Sequence, residues 1–173
     1  MRPRGEILLG EGLIRERVAE MARAIAADTP AGATISALVV MDGAFVFASD
    51  LLRGLPMPVR TALAPVRSVA RGGDPRSLAL PEDFPVAGSD LLVVEDILDS
   101  GRTLSALRAH LESLGPARIR FAVLLDKPAR REILFRPDYV GFEVPDAWLV
   151  GYGLDWEGLY RNLPYLTCMD RAS

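Results

Sequence analysis

Apolar positions along the chain switch between two periods, and the switch lays out an alternating order of helices and strands. Ile14, Val18, Met21 and Ile25 recur at helical spacing, so residues 12–27 read as an amphipathic helix. Pro30 and Gly32 end it. Residues 35–41 form a short unbroken apolar run with branched side chains, the pattern of a strand buried on both faces. Asp42 and Gly43 turn the chain into a helix over 44–53 that stops at Gly54, and 59–64 reads as a further strand. The sharpest strand signal is 91–94. It runs straight into Glu95 and Asp96, turns at Asp99, Ser100 and Gly101, and continues as a helix with Leu104, Leu107, Leu111 and Leu114 on one face. Gly115 and Pro116 stop that helix, and 119–125 is the next strand. Strand, helix and strand in this order form a βαβ unit, which implies a parallel sheet and a right-handed crossover. Later strands are expected at 139–142, 148–152 and 166–169.

The segment 65–88 breaks the pattern. It carries Arg67, Arg71, Arg76, two adjacent glycines and Pro75, Pro81 and Pro85. Long irregular stretches in compact domains are lids, mobile loops or plain surface loops. The whole chain, 1–173, is expected to be one α/β domain with its mobile loop at about 65–88, because 173 residues suit a single core and no internal repeat is visible.

Composition narrows the function. The formal net charge of -3 leaves no basic excess for a broad nucleic-acid surface. No apolar run approaches the roughly 20 residues that span a bilayer, and no signal-peptide core follows the short charged N-terminus. A cytoplasmic protein with neither nucleic acid nor membrane as partner is expected. Cys168 is the sole cysteine and His110 the sole histidine. An internal disulfide is therefore excluded, and so is a cysteine-rich or multi-histidine metal site. His110 reads as a solvated or partly packed helix residue. Among 20 basic residues Lys127 is the one lysine, which points weakly to a position that wants a compact ammonium rather than a planar guanidinium.

Chemistry concentrates in the strand–loop–helix segment 92–103. Sites in open α/β sheets lie beyond the carboxyl ends of the strands. Ser100, Gly101 and Thr103 fall at a helix N-terminus, where free N–H groups and the helix dipole favour a phosphate. Glu95 and Asp96 lie upstream as acceptors for sugar hydroxyls. The loop thus offers an anion cradle beside hydroxyl acceptors, a shape suited to ribose 5-phosphate. The competing reading makes Asp99 or Ser100 a helix N-cap and the two acids a solvated turn.

At this segment, VVEDILDSGRTL (93–104), the sequence resembles the phosphoribosyl pyrophosphate motif of type I phosphoribosyltransferases. The stretches DYVGFEVPD (138–146), VGYGLD (150–155), YRNLPY (160–165), LLDKP (124–128) and GAFVFASDL (43–51) are similar to the hypoxanthine-guanine branch, and the resemblance runs from about Ile35 to Tyr165. It implies the type I fold, a central parallel sheet flanked by helices with a small hood. It implies a purine salvage enzyme, a pentosyltransferase that moves the 5-phosphoribosyl group from phosphoribosyl pyrophosphate to hypoxanthine or guanine. It also implies Mg²⁺ as cofactor and a homodimer or homotetramer.

Roles follow from the same resemblance. Glu95 and Asp96 hold the ribose hydroxyls, partly through Mg²⁺. Asp99 handles the purine proton, and Ser100, Gly101, Arg102 and Thr103 bind the 5′-phosphate. Lys127 donates to the 6-oxo group, Trp148 stacks on the base and the Leu149 backbone reads its edge. Asp155 takes a second Mg²⁺. Arg161 contacts pyrophosphate, as does the loop at Asp42 and Gly43, whose Met41–Asp42 peptide is expected to be cis. Taken singly, Trp148 also reads as core, Asp155 as a turn acid, Arg161 as a surface ion pair and Lys127 as a loop residue. Two positions depart from the family pattern. Asp42 stands where a lysine is common, and Val69 follows Ser68 where a Ser-Tyr pair is usual. A catalytically weak purine-nucleotide-binding paralogue and a phosphoribosyl pyrophosphate sensor therefore remain alternative readings.

Overall fold

The computed structural model describes residues 2–65 and 80–170. Positions 66–79, which hold most of the expected mobile loop with Ser68 and Val69, lie outside the described residues. In chain order the elements are β1 (Arg2–Leu9), α1 (Glu11–Ala27), β2 (Ile35–Met41), α2 (Phe45–Arg53), β3 (Val59–Pro65), β4 (Asp90–Leu98), α3 (Arg102–Ser113), β5 (Arg118–Asp126), a 3₁₀ turn (Pro128–Arg130), β6 (Tyr139–Glu143), β7 (Leu149–Val150) and β8 (Leu166–Asp170).

Five strands form a parallel sheet in the order β3-β2-β4-β5-β6. The period of two along each strand divides the core into two layers. Ile35, Val39, Leu92, Val94, Ala122 and Leu124 face α1 and α2, and Ile14, Val18, Met21 and Ile25 pack on them from α1. Leu38, Val40, Leu91, Val93, Phe121 and Val123 face the other way, against Leu104, Leu107 and Leu111 of α3. Each central strand therefore buries both faces, which is why its sequence is an unbroken apolar run. His110 lies half-buried on α3.

Three differences from the sequence expectation stand out. The N-terminus forms β1, a strand the composition of 1–6 did not suggest, paired antiparallel with β8 at the far end of the chain. With β7 these strands make a separate three-stranded sheet, the expected hood. The strand expected at 148–152 shrinks to Leu149–Val150, because β7 pairs only with Cys168 and Thr167 before Gly151 turns the chain away. Third, the strand expected to end at Val94 continues to Leu98. Glu95 and Ile97 still pair with Val123 and Leu125 of β5, so the two acids lie within β4 rather than after it.

That third difference positions the site. The β2–β4 pairing ends at Val39 and Val94, while β4 and β5 stay paired to Leu98 and Asp126. The chain passes from β2 to one side, β3, and then returns to β4 on the other, so this gap is the topological switch point of the sheet.

The opposite end of the sheet is closed by a polar network. Arg120 on β5 is 1% exposed. Its Nε and Nη2 donate to the two carboxylate oxygens of Asp90 at 3.2 and 2.7 Å, and its Nη1 donates to Thr29 Oγ1 and Tyr139 Oη at 3.1 and 3.2 Å. Tyr139 in turn donates to Asp28 Oδ2 at 2.8 Å. A buried charge left without its partner costs about 3–5 kcal/mol. Arg120→Met is accordingly expected to lower unfolding stability by roughly that amount in a urea titration. A midpoint equal to that of the parent chain would mean the network contributes nothing.

Candidate active site

The carboxyl ends of β2, β4 and β5 and the loops that follow them enclose a cavity of about 790 Å³. Two close glycine contacts lie beneath it. The Met41–Asp42 peptide is cis. A Cβ on Gly43 would overlap Asp96 Oδ2, and one on Gly153 would overlap the Gly43 carbonyl oxygen. The loop after β2 is thus held between the β4 acid pair and the C-terminal segment, with no room for a side chain at either contact.

Glu95 is buried and Asp96 partly so. Burial raises the Glu95 carboxyl well above its ordinary range, and the adjacent Asp96 charge adds to the rise. Burial raises Asp96 as well, opposed by its hydrogen bonds with Glu95 and the Ile97 backbone and by the Arg161 charge. The Asp96 N–H donates to Glu95 Oε1 at 3.2 Å. The pair is therefore short of positive charge and of donors.

The loop from Asp99 to Gly101 is set by the segment after β5. Arg130 Nε donates to Asp99 Oδ1 at 3.0 Å and also lies 3.7 Å from Asp146. Arg131 Nη1 donates to the Asp99 carbonyl at 2.8 Å, while its Nη2 pairs with Asp126. The Glu132 and Ile133 N–H groups both donate to the Ser100 carbonyl at 3.0 Å. Gly101 is the helix N-cap of α3, at φ 84, and its Cα faces the Ile133 carbonyl closely enough that a Cβ would clash. Gly101 has no side chain to cap the helix, and the one side-chain contact to its first N–H is a long one, from the Arg102 N–H to Ser100 Oγ at 3.4 Å. Neither Asp99 nor Ser100 is thus the N-cap that the competing reading required. Ser100, Gly101 and Thr103 line the cavity; the Arg102 side chain does not, and pairs instead with Glu132 on the surface. Arg102 can serve an anion here only through its backbone N–H.

Lys127 directly follows β5 and is 8% exposed. Its Nζ donates to the Ala147 carbonyl at 2.8 Å, the one side-chain bond it makes among the described residues. An ammonium has three donors and no acceptor, so it presents further donors toward the cavity. Trp148 opposes it with 54% of its surface exposed, which excludes the core reading, and Leu149 lies beside it in β7. Asp155 and Arg161 close the remaining side. Arg161 reaches Asp155 Oδ1 at 2.8 Å, Asp42 Oδ2 at 3.8 Å and donates to the Gly153 carbonyl at 2.6 Å. The Asp42 carboxylate thus lies near a guanidinium, in the position where a lysine is common.

The fold brings Asp42, Gly43, Glu95, Asp96, Asp99, Ser100, Gly101, Thr103, Lys127, Trp148, Leu149, Asp155 and Arg161 to one cavity. Sequence reasoning missed Arg130 and Arg131, which clasp the Asp99 loop, and Trp156, which packs on Trp148. Their contacts cross the fold or turn on side-chain direction, so spacing alone gave no sign of them. Glu95, Asp96 and Asp155 do not gather into a three-ligand metal cluster, and no such cluster exists among the described residues.

The family model for the phosphoribosyl transferase domain matches residues 8–157. The chain belongs to that family. Hypoxanthine phosphoribosyltransferase of Salmonella typhimurium is 36% identical over 165 residues, 93% of each chain. Hypoxanthine-guanine phosphoribosyltransferase of Aquifex aeolicus is 37% identical over 162 residues, covering 92% of this chain and 91% of its own. Among solved structures, a hypoxanthine-guanine phosphoribosyltransferase of Bacillus anthracis superposes with a TM-score of 0.84 at 35% identity, over 98% of this chain and 100% of that one. The Trypanosoma cruzi hypoxanthine phosphoribosyltransferase in complex with the product IMP gives 0.85 at 32% identity, over 98% of this chain and 92% of that one. The type I phosphoribosyltransferase fold expected from the sequence is the fold observed.

The acid pair carries a stability cost with a definite pH dependence. A carboxyl whose folded value is raised gives stability at low pH and loses it as pH rises through the folded value. Glu95→Gln removes that loss. In this phosphoribosyl transferase domain it is expected to raise unfolding stability at pH 8 and to change it little below the ordinary glutamate value of 4.5. Denaturant titrations at both pH values measure this, and equal effects at the two would contradict it.

Proposed function

We propose that the chain transfers the 5-phosphoribosyl group of phosphoribosyl pyrophosphate to hypoxanthine or guanine, giving IMP or GMP and pyrophosphate in purine salvage. The observation that carries the reading is the meeting, in one cavity of a phosphoribosyl transferase domain, of three features. They are a helix N-terminus that begins at a glycine, a carboxylate pair of which Glu95 is buried, and an ammonium with an exposed indole lining the same cavity. Curated relatives with this activity align over nine-tenths of the chain, and no observation favours the weak paralogue or the sensor.

The α3 N-terminus suits the 5′-phosphate, because its backbone N–H groups from Gly101 onward and its dipole favour an anion. Glu95 and Asp96 accept from the ribose hydroxyls and face the sugar as positive charge develops at the anomeric carbon. Lys127 donates to the 6-oxo group between Trp148 and the Leu149 backbone. Asp99 takes or returns the purine proton as the ring nitrogen attacks, and Arg130 and Arg131 hold its loop in reach. Arg161 faces the departing pyrophosphate.

Charge balance supports Mg²⁺ as cofactor. Among the described residues, five carboxylates (Asp42, Glu95, Asp96, Asp99, Asp155) and two cations (Lys127, Arg161) line the cavity. Such a lining repels a polyanion. Hard oxygen donors offered in ones and twos suit an ion that keeps water and takes its remaining ligands from substrate phosphates. Glu95 and Asp96 would hold one ion on the ribose side and Asp155 a second on the pyrophosphate side; bound there, they would supply the positive charge that stabilises the leaving oxygens. Asp42 does not oppose pyrophosphate unshielded, since Arg161 lies beside it. A homodimer or homotetramer in the cytoplasm completes the reading by family analogy.

Spectrophotometric assays with hypoxanthine, guanine and adenine test the whole. A donor-only Lys127 mismatches a 6-amino group, and sites built on one buried polar group reject such partners by up to about 10⁴. Both oxopurines are expected far above adenine, and equal turnover of adenine would sink the reading. Asp99→Asn keeps the size of the side chain and one hydrogen-bonding oxygen but moves no proton. Turnover is expected to fall by roughly 10²–10⁴-fold; an unchanged rate would withdraw Asp99 from the chemistry.

A further inference from the structure

The chain has two tryptophans, Trp148 and Trp156, and they touch. Trp148 lines the cavity with more than half its surface open, a large indole with no core to fix its angle. Two contacts fix it instead, both from the segment 155–159. Trp156 presents its ring edge-on at 5.0 Å between centroids and 87° between planes. The Trp148 Nε1–H donates to the Asp155 carbonyl at 3.2 Å.

This support is itself well anchored. Trp156 and Leu159 form an antiparallel bridge, with N–H to carbonyl distances of 3.2 and 3.0 Å. Glu157 and Gly158 close it with φ of 54 and 81, both positive, the turn whose twist suits a two-residue hairpin. Asp155 Oδ2 accepts from the Gly158 N–H at 2.6 Å and Oδ1 from Arg161 at 2.8 Å. Trp156 does not itself line the cavity. Its indole is therefore placed to act on the base only through Trp148.

We propose that Trp156 is a positioning residue for the purine: by holding the Trp148 ring edge-on it sets the tilt of the stacking wall and so the affinity for the base. The idea rests on the proposed function, in which Trp148 stacks on a 6-oxopurine. An edge-to-face pair keeps one ring from turning about its side-chain bonds, and such a pair adds more than its buried area. Without it, Trp148 must be ordered by the base itself, and that ordering weakens binding.

The test uses the full chain with Trp156→Leu and Trp156→Phe. For Trp156→Leu, the KM for hypoxanthine is expected to rise about two- to tenfold, while kcat, the KM for phosphoribosyl pyrophosphate and Tm stay near the parent values. Trp156→Phe keeps an aromatic edge and should restore the KM for the base. A second measurement needs no turnover. In both variants Trp148 is the remaining tryptophan, so its emission is expected to be quenched by added IMP, with the midpoint for Trp156→Leu moved to higher IMP than for Trp156→Phe. An unchanged hypoxanthine KM in Trp156→Leu would overturn the proposal. So would an equal rise in both KM values, a Trp156→Phe variant no better than Leu, or coincident quenching midpoints. A parent chain inactive with every oxopurine would instead overturn the transfer reading, while separated quenching midpoints would still support the role of Trp156.

Discussion

Everything at the cavity depends on a stack of contacts in which backbone meets its neighbour with no side chain between them. Gly153 lies against the Gly43 carbonyl, and Gly43 lies against the Asp96 carboxylate. The stack joins three parts of the chain that are far apart in sequence: the loop after β2, the middle of β4 and the segment before Asp155. A methyl group at Gly153 would push its segment off the Gly43 carbonyl, and one at Gly43 would displace the Asp96 carboxylate. Arg161 reinforces the same junction by donating to the Gly153 carbonyl and lying between Asp155 and Asp42. The acid pair, the pyrophosphate-side loop and the support for the base wall are thus set by one local geometry.

That geometry concentrates negative charge in the cavity. Glu95 and Asp96 are buried against each other and carry the cost of burial in the folded chain. Such a pair is a poor choice for stability, since each charge disfavours the other. Under the proposed function the choice is a sound one, because a cationic sugar and a hard metal ion would both relieve the repulsion. The sheet meets its stability needs elsewhere. The Arg120 network sits at the far end of β5 with its charges paired and its hydroxyls bonded.

The sequence made much of this legible because the central strands are buried on both faces. Apolar runs at 35–41, 91–94 and 119–125 gave the strands, and leucines at helical spacing gave α3. The polar residues that break those runs marked the site. Less visible were features set by distant partners. β1 is a strand because β8 pairs with it from the other end of the chain, and its own residues carry no strong alternation. β4 outruns its apolar run because β5 keeps pairing with it past Val94. Trp148 reads as core from its apolar neighbours, yet β7 is so short that the ring lies outside the packed layer. The clasp of Arg130 and Arg131 on the Asp99 loop spans about thirty residues, beyond any local pattern.

Two buried cations flank the core of strand β5, Arg120 in the closing network and Lys127 just past the last strand residue. Seven residues separate them, roughly 23 Å along an extended strand. One closes the far end of the sheet and the other lines the cavity, yet both depend on the same ladder of hydrogen bonds to β4. A strand repeats every two residues, so a slip of one would turn both side chains to the wrong face. The register of β5 therefore acts as a ruler: any sequence change that lets the strand slide disables the molecule at both ends at once, whereas a change confined to one cation leaves the other in place.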